Sequence, residues 1–156
     1  MGFENWNAER AASLIAAEAG REGAALPVLH ALQAVFGHVP RAALPMVAEA
    51  LNLTRAEVHG IVGFYHDFRA GPPGRHVLKL CRAEACQSMG GDGLAAQAQR
   101  RLAVDWGGTS DDGAVTLEPV FCLGLCACAP AAMLDGEVVG RLDETRLAVL
   151  LDGARR

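Results

Sequence analysis

Five cysteines constrain this chain more than any other feature, because four of them form two short-spaced pairs. "LCRAEACQSMGG" holds Cys81 and Cys86 with four residues between them, and "FCLGLCACAP" holds Cys122, Cys126 and Cys128 before closing on Pro130. Cys122 and Cys126 are separated by three residues, and thirty-five residues lie between the two pairs. Each group ends a run that reads as a strand: "RHVLKLC" arrives at Cys81 and "AVTLEPVFC" at Cys122. Loops leaving the same end of a sheet can converge, so a fold that aligns these two strand ends gathers four thiols at one point.

A disulfide framework does not suit the set, since an odd cysteine is left over. The opening "MGFENWNAERAA" also lacks the basic start and apolar run of a secretory signal. The expected setting is cytoplasmic, where thiols stay reduced. Four convergent thiolates could hold zinc, whose structural sites use cysteine pairs at short spacing, although neither pair here has the sharp two-residue gap. A thioredoxin-type exchanger needs C-x-x-C opening a helix, and that motif is absent. Unliganded cysteine packs as a small hydrophobe, a reading that suits one buried thiol better than two loop-borne pairs. A 2Fe–2S cluster takes four thiolates and is wider than a single ion, which matches wider loops. Spacing favours the cluster, with zinc and inert packing as the alternatives.

The chain has two grammars. Up to residue 70 it reads as short helices. "NWNAERAASLIAAEAG" stops at Gly20, and "LPVLHALQAVFG" has Pro27 in a first turn and ends at Gly37. In "PRAALPMVAEALN", Leu44, Val47, Ala48 and Leu51 share one face, and "TRAEVHGIVGFY" opens with Thr54 and Glu57 at capping-box spacing. "RAGPPGR", residues 69–75, cannot continue a helix and marks the boundary. Beyond it come a strand to Cys81, a helix with Leu94, Ala98 and Leu102 on one stripe, and a strand to Cys122. A hairpin at Asp135-Gly136 and a last helix capped by Asp143 complete the order. The predicted fold class is α+β: a helical bundle over 1–70, then a thioredoxin-like α/β domain over 75–156 with a small mixed sheet.

Net charge of -4 without a run of one sign argues against nucleic acid, and no apolar stretch is long enough to span a membrane. There is no GxGxxG following a strand with an acidic residue about twenty positions on, so dinucleotide binding finds no support, and no nucleophile–His–acid set stands out. His30, His38, His59, His66 and His76 all lie outside the cysteine loops, so a Rieske-type site with two histidines on one iron is not indicated. His59 and His66 are expected in helix packing or hydrogen bonding. Phe64, Tyr65 and Phe68 are expected to form a seam between the two domains, with a partner-docking surface as the second reading. Gly90, Gly91 and Gly124 would permit positive φ and close backbone approach near the cysteines. Arg82 would soften the negative charge of a reduced cluster and Glu84 would oppose it; both also read as solvated loop charges.

"VLKLCRAEACQSMGG" followed by "CLGLCACAP" resembles the thioredoxin-like 2Fe–2S ferredoxin family, whose pattern is C-x4-C and then C-L-G-x-C-x-x-A-P. The match runs through Cys81, Cys86, Cys122, Leu123, Gly124, Cys126, Ala129 and Pro130. "LPVLHALQAVFGHVP" and "LNLTRAEVHGIVGFYHDF" are similar to that family's helical bundle. The resemblance implies one 2Fe–2S cluster, with Cys81 and Cys86 on one iron and Cys122 and Cys126 on the other, and leaves Cys128 outside the ligand set. It implies an electron-transfer role within an oxidoreductase complex rather than a catalyst on its own. "AEVHGIVGFYHDFR" and "LKLCRAEACQSMGGDGL" are similar to the gamma chain of molybdenum-containing, NAD-dependent formate dehydrogenase. The partners then implied are an FMN/NAD-binding iron–sulfur subunit and a molybdenum-containing formate-oxidising subunit. FMN, NAD, the molybdenum cofactor and further clusters would reside on those chains. The equivalent subunits of NADH:quinone oxidoreductase and NAD-reducing hydrogenase are the alternatives, and a structural zinc module is the non-redox one.

Overall fold

A computed structural model describes residues 2–155 in two compact units, Gly2–Pro72 and Pro73 onward. The outermost positions of the two predicted domains, Met1 and Arg156, lie outside the described residues.

The first unit is helical: α1 (Ala8–Glu18), α2 (Ala25–Phe36), α3 (Leu44–Ala50) and α4 (Arg55–Phe64). Each boundary has a local cause. Asn7 caps α1 by accepting from the Arg10 N–H at 2.8 Å. Gly37 closes α2 at φ 76°, and a Cβ there would stand 2.7 Å from the Phe3 ring. A single 3-10 turn (Arg41–Ala43) leads into α3. Thr54 and Glu57 form both bonds of the capping box on α4. The core gathers Ile15, Val28, Leu29, Leu32, Phe36, Val47 and Val58, and the expected face of α3 is buried at Leu44, Val47 and Ala48, with Leu51 half-buried at its end. Phe68 belongs to this same core. Its ring lies 4.9 Å from His30, and the Gln33 amide fixes its neighbours by donating to the Asp67 carbonyl and accepting from the Arg69 N–H. Phe64 remains largely exposed. His59 and His66 are exposed rather than packed, which corrects the sequence expectation for them.

The second unit is a four-stranded mixed sheet in the order β2-β1-β3-β4, with β1 (His76–Cys81), β2 (Val115–Val120), β3 (Ala132–Leu134) and β4 (Glu137–Val139). β1 and β2 are parallel; β1/β3 and β3/β4 are antiparallel. Between β1 and β2 run a short helix, α5 (Glu84–Ser88), and then α6 (Gly91–Leu102), which make the crossover a parallel pair requires. α7 (Glu144–Ala154) follows the hairpin, capped by the Asp143 carboxylate, which accepts from the Arg146 N–H. Leu78, Leu80, Leu117 and Ala132 of the sheet bury with Leu94, Ala98 and Leu102 of α6 and Leu147 and Leu151 of α7 in one core. Each such leucine contributes about 1.5–3 kcal/mol on burial. Asp135 and Gly136 turn the hairpin at φ 51° and 94°. The expected α+β class and thioredoxin-like arrangement hold. α5 and a 3-10 turn at Cys126–Cys128 were not anticipated.

Candidate metal centre

Because β1 and β2 run parallel and in register, with Cys81 opposite Val120, both cysteine loops leave the same end of the sheet. The end of β1 then ties down both ends of the second loop. The Cys81 N–H donates to the Ala131 carbonyl at 3.0 Å, just past Pro130, and the Arg82 N–H donates to the Val120 carbonyl at 2.8 Å, just before Cys122. Residues 121–130 therefore form a loop anchored at entry and exit on the residue pair that carries the first thiol.

Cys86 sits on α5, brought back beneath the start of α6. A Cβ on Gly91 would lie 2.6 Å from the Cys86 carbonyl oxygen, so only glycine lets the two backbones approach this closely. Gly90 takes φ 90° at the helix start. On the second loop Gly124 turns at φ 74°, and its N–H donates to the Cys122 sulfur at 3.3 Å. Cys122 itself holds φ 140°, backbone territory that favours glycine; such positions cost about 1–3 kcal/mol and cluster at functional sites.

The four thiols stand as two pairs. The Sγ atoms of Cys122 and Cys126 are 3.8 Å apart, and Cys81 and Cys86 lie together in one buried cluster. A tetrahedral metal with metal–sulfur bonds of about 2.3 Å spans about 3.8 Å between two of its sulfurs, so the second pair already has the bite of one metal ion. The pairs also feel each other. Burial pushes the Cys86 thiol up, the neighbouring Cys81 thiol adds to this, and the charge of Cys126 adds further. The Cys126 thiol is raised by its hydrogen bond with Cys122, then by the charge of Cys122, with burial and Cys81 contributing less. Mutual opposition to ionisation is what a cation at the centre would relieve. Among the described residues no three His, Cys, Asp or Glu side chains surround a single point as one metal ion would require.

Burial divides the pairs. Cys81 and Cys86 are buried, in an apolar nest of Ala83, Val120, Leu123, Leu125, Ala129 and Ala131; Cys122 and Cys126 are exposed. Cys128 is half-buried on the 3-10 turn, its carbonyl accepting from the Arg141 N–H and its Cβ pressed against Gly140, where an added Cβ would come within 2.8 Å. Three of the histidines find partners elsewhere: His38 Nδ1 bonds the Phe36 carbonyl, His76 Nδ1 the Asp135 carboxylate, and His30 lies on Phe68. Arg82 is not the free loop charge the sequence suggested. Its guanidinium pairs with Asp92 at 3.0 Å and lies 5.2 Å from the centre of the Trp106 ring.

A family described as thioredoxin-like [2Fe-2S] ferredoxin matches residues 11–155. The chain is 34% identical over 129 residues to the E component of NADH-quinone oxidoreductase from Pseudomonas aeruginosa, covering 83% of this chain and 78% of that one. It is 36% identical to the second E component of the same enzyme from Rhizobium meliloti, over 86% of this chain and 80% of the relative. It is 31% identical to the HndA component of NADP-reducing hydrogenase from Solidesulfovibrio fructosivorans, over 84% and 77%. Among solved structures it is similar to a chain of an NAD+-reducing [NiFe]-hydrogenase, with TM-score 0.68 and 26% identity over 81% of this chain. The match spans only 22% of that longer chain.

Proposed function

The chain belongs to the thioredoxin-like [2Fe-2S] ferredoxin family, and from that premise we propose that Cys81, Cys86, Cys122 and Cys126 hold one 2Fe–2S cluster, through which the protein passes single electrons within an NAD-linked oxidoreductase complex. The observation that carries this reading is the placing of both cysteine loops at one end of the parallel β1–β2 pair, with the Cys122 and Cys126 sulfurs 3.8 Å apart. A paired donor set suits two metal ions, each taking one pair, better than a single zinc ion.

Such a cluster, when bound, takes up and gives back one electron without a change in its bonds. The chain's own residues do the rest. The backbone bonds from Cys81 to Ala131 and from Arg82 to Val120 anchor both ends of the loop that carries the second pair. The Gly124 N–H donates to the Cys122 sulfur, and donors to sulfur stabilise the reduced form. Ala83, Val120, Leu123, Leu125 and Ala129 keep water from the first pair. The exposed second pair is the side open to a partner.

The sequence carries no dinucleotide-binding motif, so FMN and NAD belong on a partner subunit. We take that partner to be a flavin-bearing iron–sulfur chain, in a cytoplasmic assembly. The names of the relatives, components of NADH- and NADP-linked oxidoreductases, support a complex of this kind. Within it we favour formate dehydrogenase, with a molybdenum-containing formate-oxidising partner, on the likeness of "AEVHGIVGFYHDFR" and "LKLCRAEACQSMGGDGL" to its gamma chains.

The purified chain is expected to be brown-red, to carry two irons and two acid-labile sulfides, and to give a rhombic EPR signal only after reduction. Cys86→Ala abolishes that signal and Cys128→Ala preserves it. Stoichiometric zinc without sulfide, or a cluster retained in Cys86→Ala, overturns the assignment. Co-purified with its partners, the complex is expected to reduce NAD with formate; reduction with hydrogen, or NADH oxidation by quinone alone, assigns it to the sister complexes instead.

A further inference from the structure

Arg82 is the most heavily fixed polar residue beside the cysteines, and its bonds reach four separate segments. Its N–H donates to Val120 at the entry of the second loop, and its carbonyl accepts from the Gln87 side chain at 2.7 Å, one residue past Cys86. Its guanidinium pairs with Asp92 on the first turn of α6 and stacks over Trp106. The side chain is about three-quarters buried, whereas Asp92 is mostly exposed. One donor, Nε, is buried without a partner. An arginine in solvent would be screened; this one is held in place, partly out of water, one residue from a cluster ligand.

Resting on the cluster reading above, we propose that Arg82 is a positioning residue that tunes the reduction potential: Trp106 and Asp92 hold its positive charge on the residue that follows Cys81, and Asp92 partly offsets it. Reduction adds one electron, hence one negative charge, to a centre already anionic; no bond forms or breaks. A fixed cation nearby favours the reduced form and raises the potential, and a carboxylate that neutralises the cation lowers it. The exposed carboxylate is the better screened of the two, so Arg82 dominates.

The sign pattern tests this. Arg82→Gln, Asp92→Asn and Arg82→Lys are made in the full chain, and each potential is read by redox titration of the EPR signal with a low-potential chemical reductant. Arg82→Gln is expected to shift the potential downward and Asp92→Asn upward, with Arg82→Lys, which keeps the charge but not the planar stacking, nearer wild type than Arg82→Gln. A merely structural ion pair is broken from either side and would move both variants the same way. Shifts of one sign, or no shift in either, overturn the proposal. Should Arg82→Gln not load, Asp92→Asn alone decides, and an unchanged or lowered potential overturns it. Absence of iron and sulfide from the wild-type chain would instead defeat the cluster reading.

Discussion

Gly91 offers the sharpest test of how the first cysteine pair is built. An alanine Cβ at this position would fall 2.6 Å from the Cys86 carbonyl oxygen and 3.0 Å from its carbonyl carbon. Contacts of this type do not fall below about 3.0 Å, so the start of α6 and the end of α5 must separate by at least about 0.4 Å. Both groups in the contact are backbone, so no side-chain rotation relieves it. Overpacking of this kind costs about 1–3 kcal/mol, and the helical preference of alanine over glycine returns about 0.5–1 kcal/mol. The net destabilisation is about 0–2.5 kcal/mol, centred near 1, which lowers a urea midpoint by roughly 0.5 M and at most about 1 M. Trp106 lies in the second unit and Trp6 in the first, so Trp106 fluorescence in a Trp6→Phe background reports on the affected unit. Gly93→Ala is the control, since its Cβ meets nothing within 4 Å and should be neutral or stabilising. The Gly91 variant also shifts Cys86 away from Cys81, so iron bound per chain should fall. Equal midpoints for Gly91→Ala and Gly93→Ala, with full iron in both, would refute the close-approach argument.

Other outcomes follow from single contacts. Asp112 accepts from the Ser110 hydroxyl, the Ala114 N–H and the Arg155 guanidinium, which together hold its carboxyl well below the usual carboxylate range. A group lowered on folding stabilises above its unfolded value and loses that contribution as pH falls. The urea midpoint read at Trp106 should therefore drop below about pH 4, and less steeply in Asp112→Asn. Thr54→Ala removes the side-chain half of the capping box and should cost the helical unit about 1 kcal/mol, read as a lower midpoint at Trp6; an unmoved midpoint would mean that α4 needs no cap.

Much of the fold was legible because its causes are local. The Thr54–Glu57 box, the Asp135-Gly136 turn and the Asp143 cap each depend on residues within one turn of chain, and all three occur as read. α5 escaped because five residues give no periodicity, and β2 tolerates Pro119 only because it is an edge strand, which sequence order does not reveal. At the site, the spacing of the cysteines was informative about chemistry and silent about burial. Arg82 read as a solvated charge because its partners, Asp92 and Trp106, lie on later segments that only the fold brings alongside it. The place of Phe68 was hidden for a similar reason: Gln33, thirty-five positions upstream, fixes its neighbours inside the helical core.

The unequal exposure of the two sulfur pairs has its cause in the strand order. β1 is an inner strand, with β2 on one side and β3 on the other, so Cys81 emerges between two neighbours and α5 folds back to bury Cys86 under Gly91. β2 is the sheet edge, so the loop it feeds has no strand on its outer side and leaves Cys122 and Cys126 in solvent. A parallel β1–β2 pair was needed to bring the loops together, and the edge position of β2 leaves their outer side open. Under the proposed reading, the same topology that assembles the four sulfurs also decides the direction from which a partner can reach them.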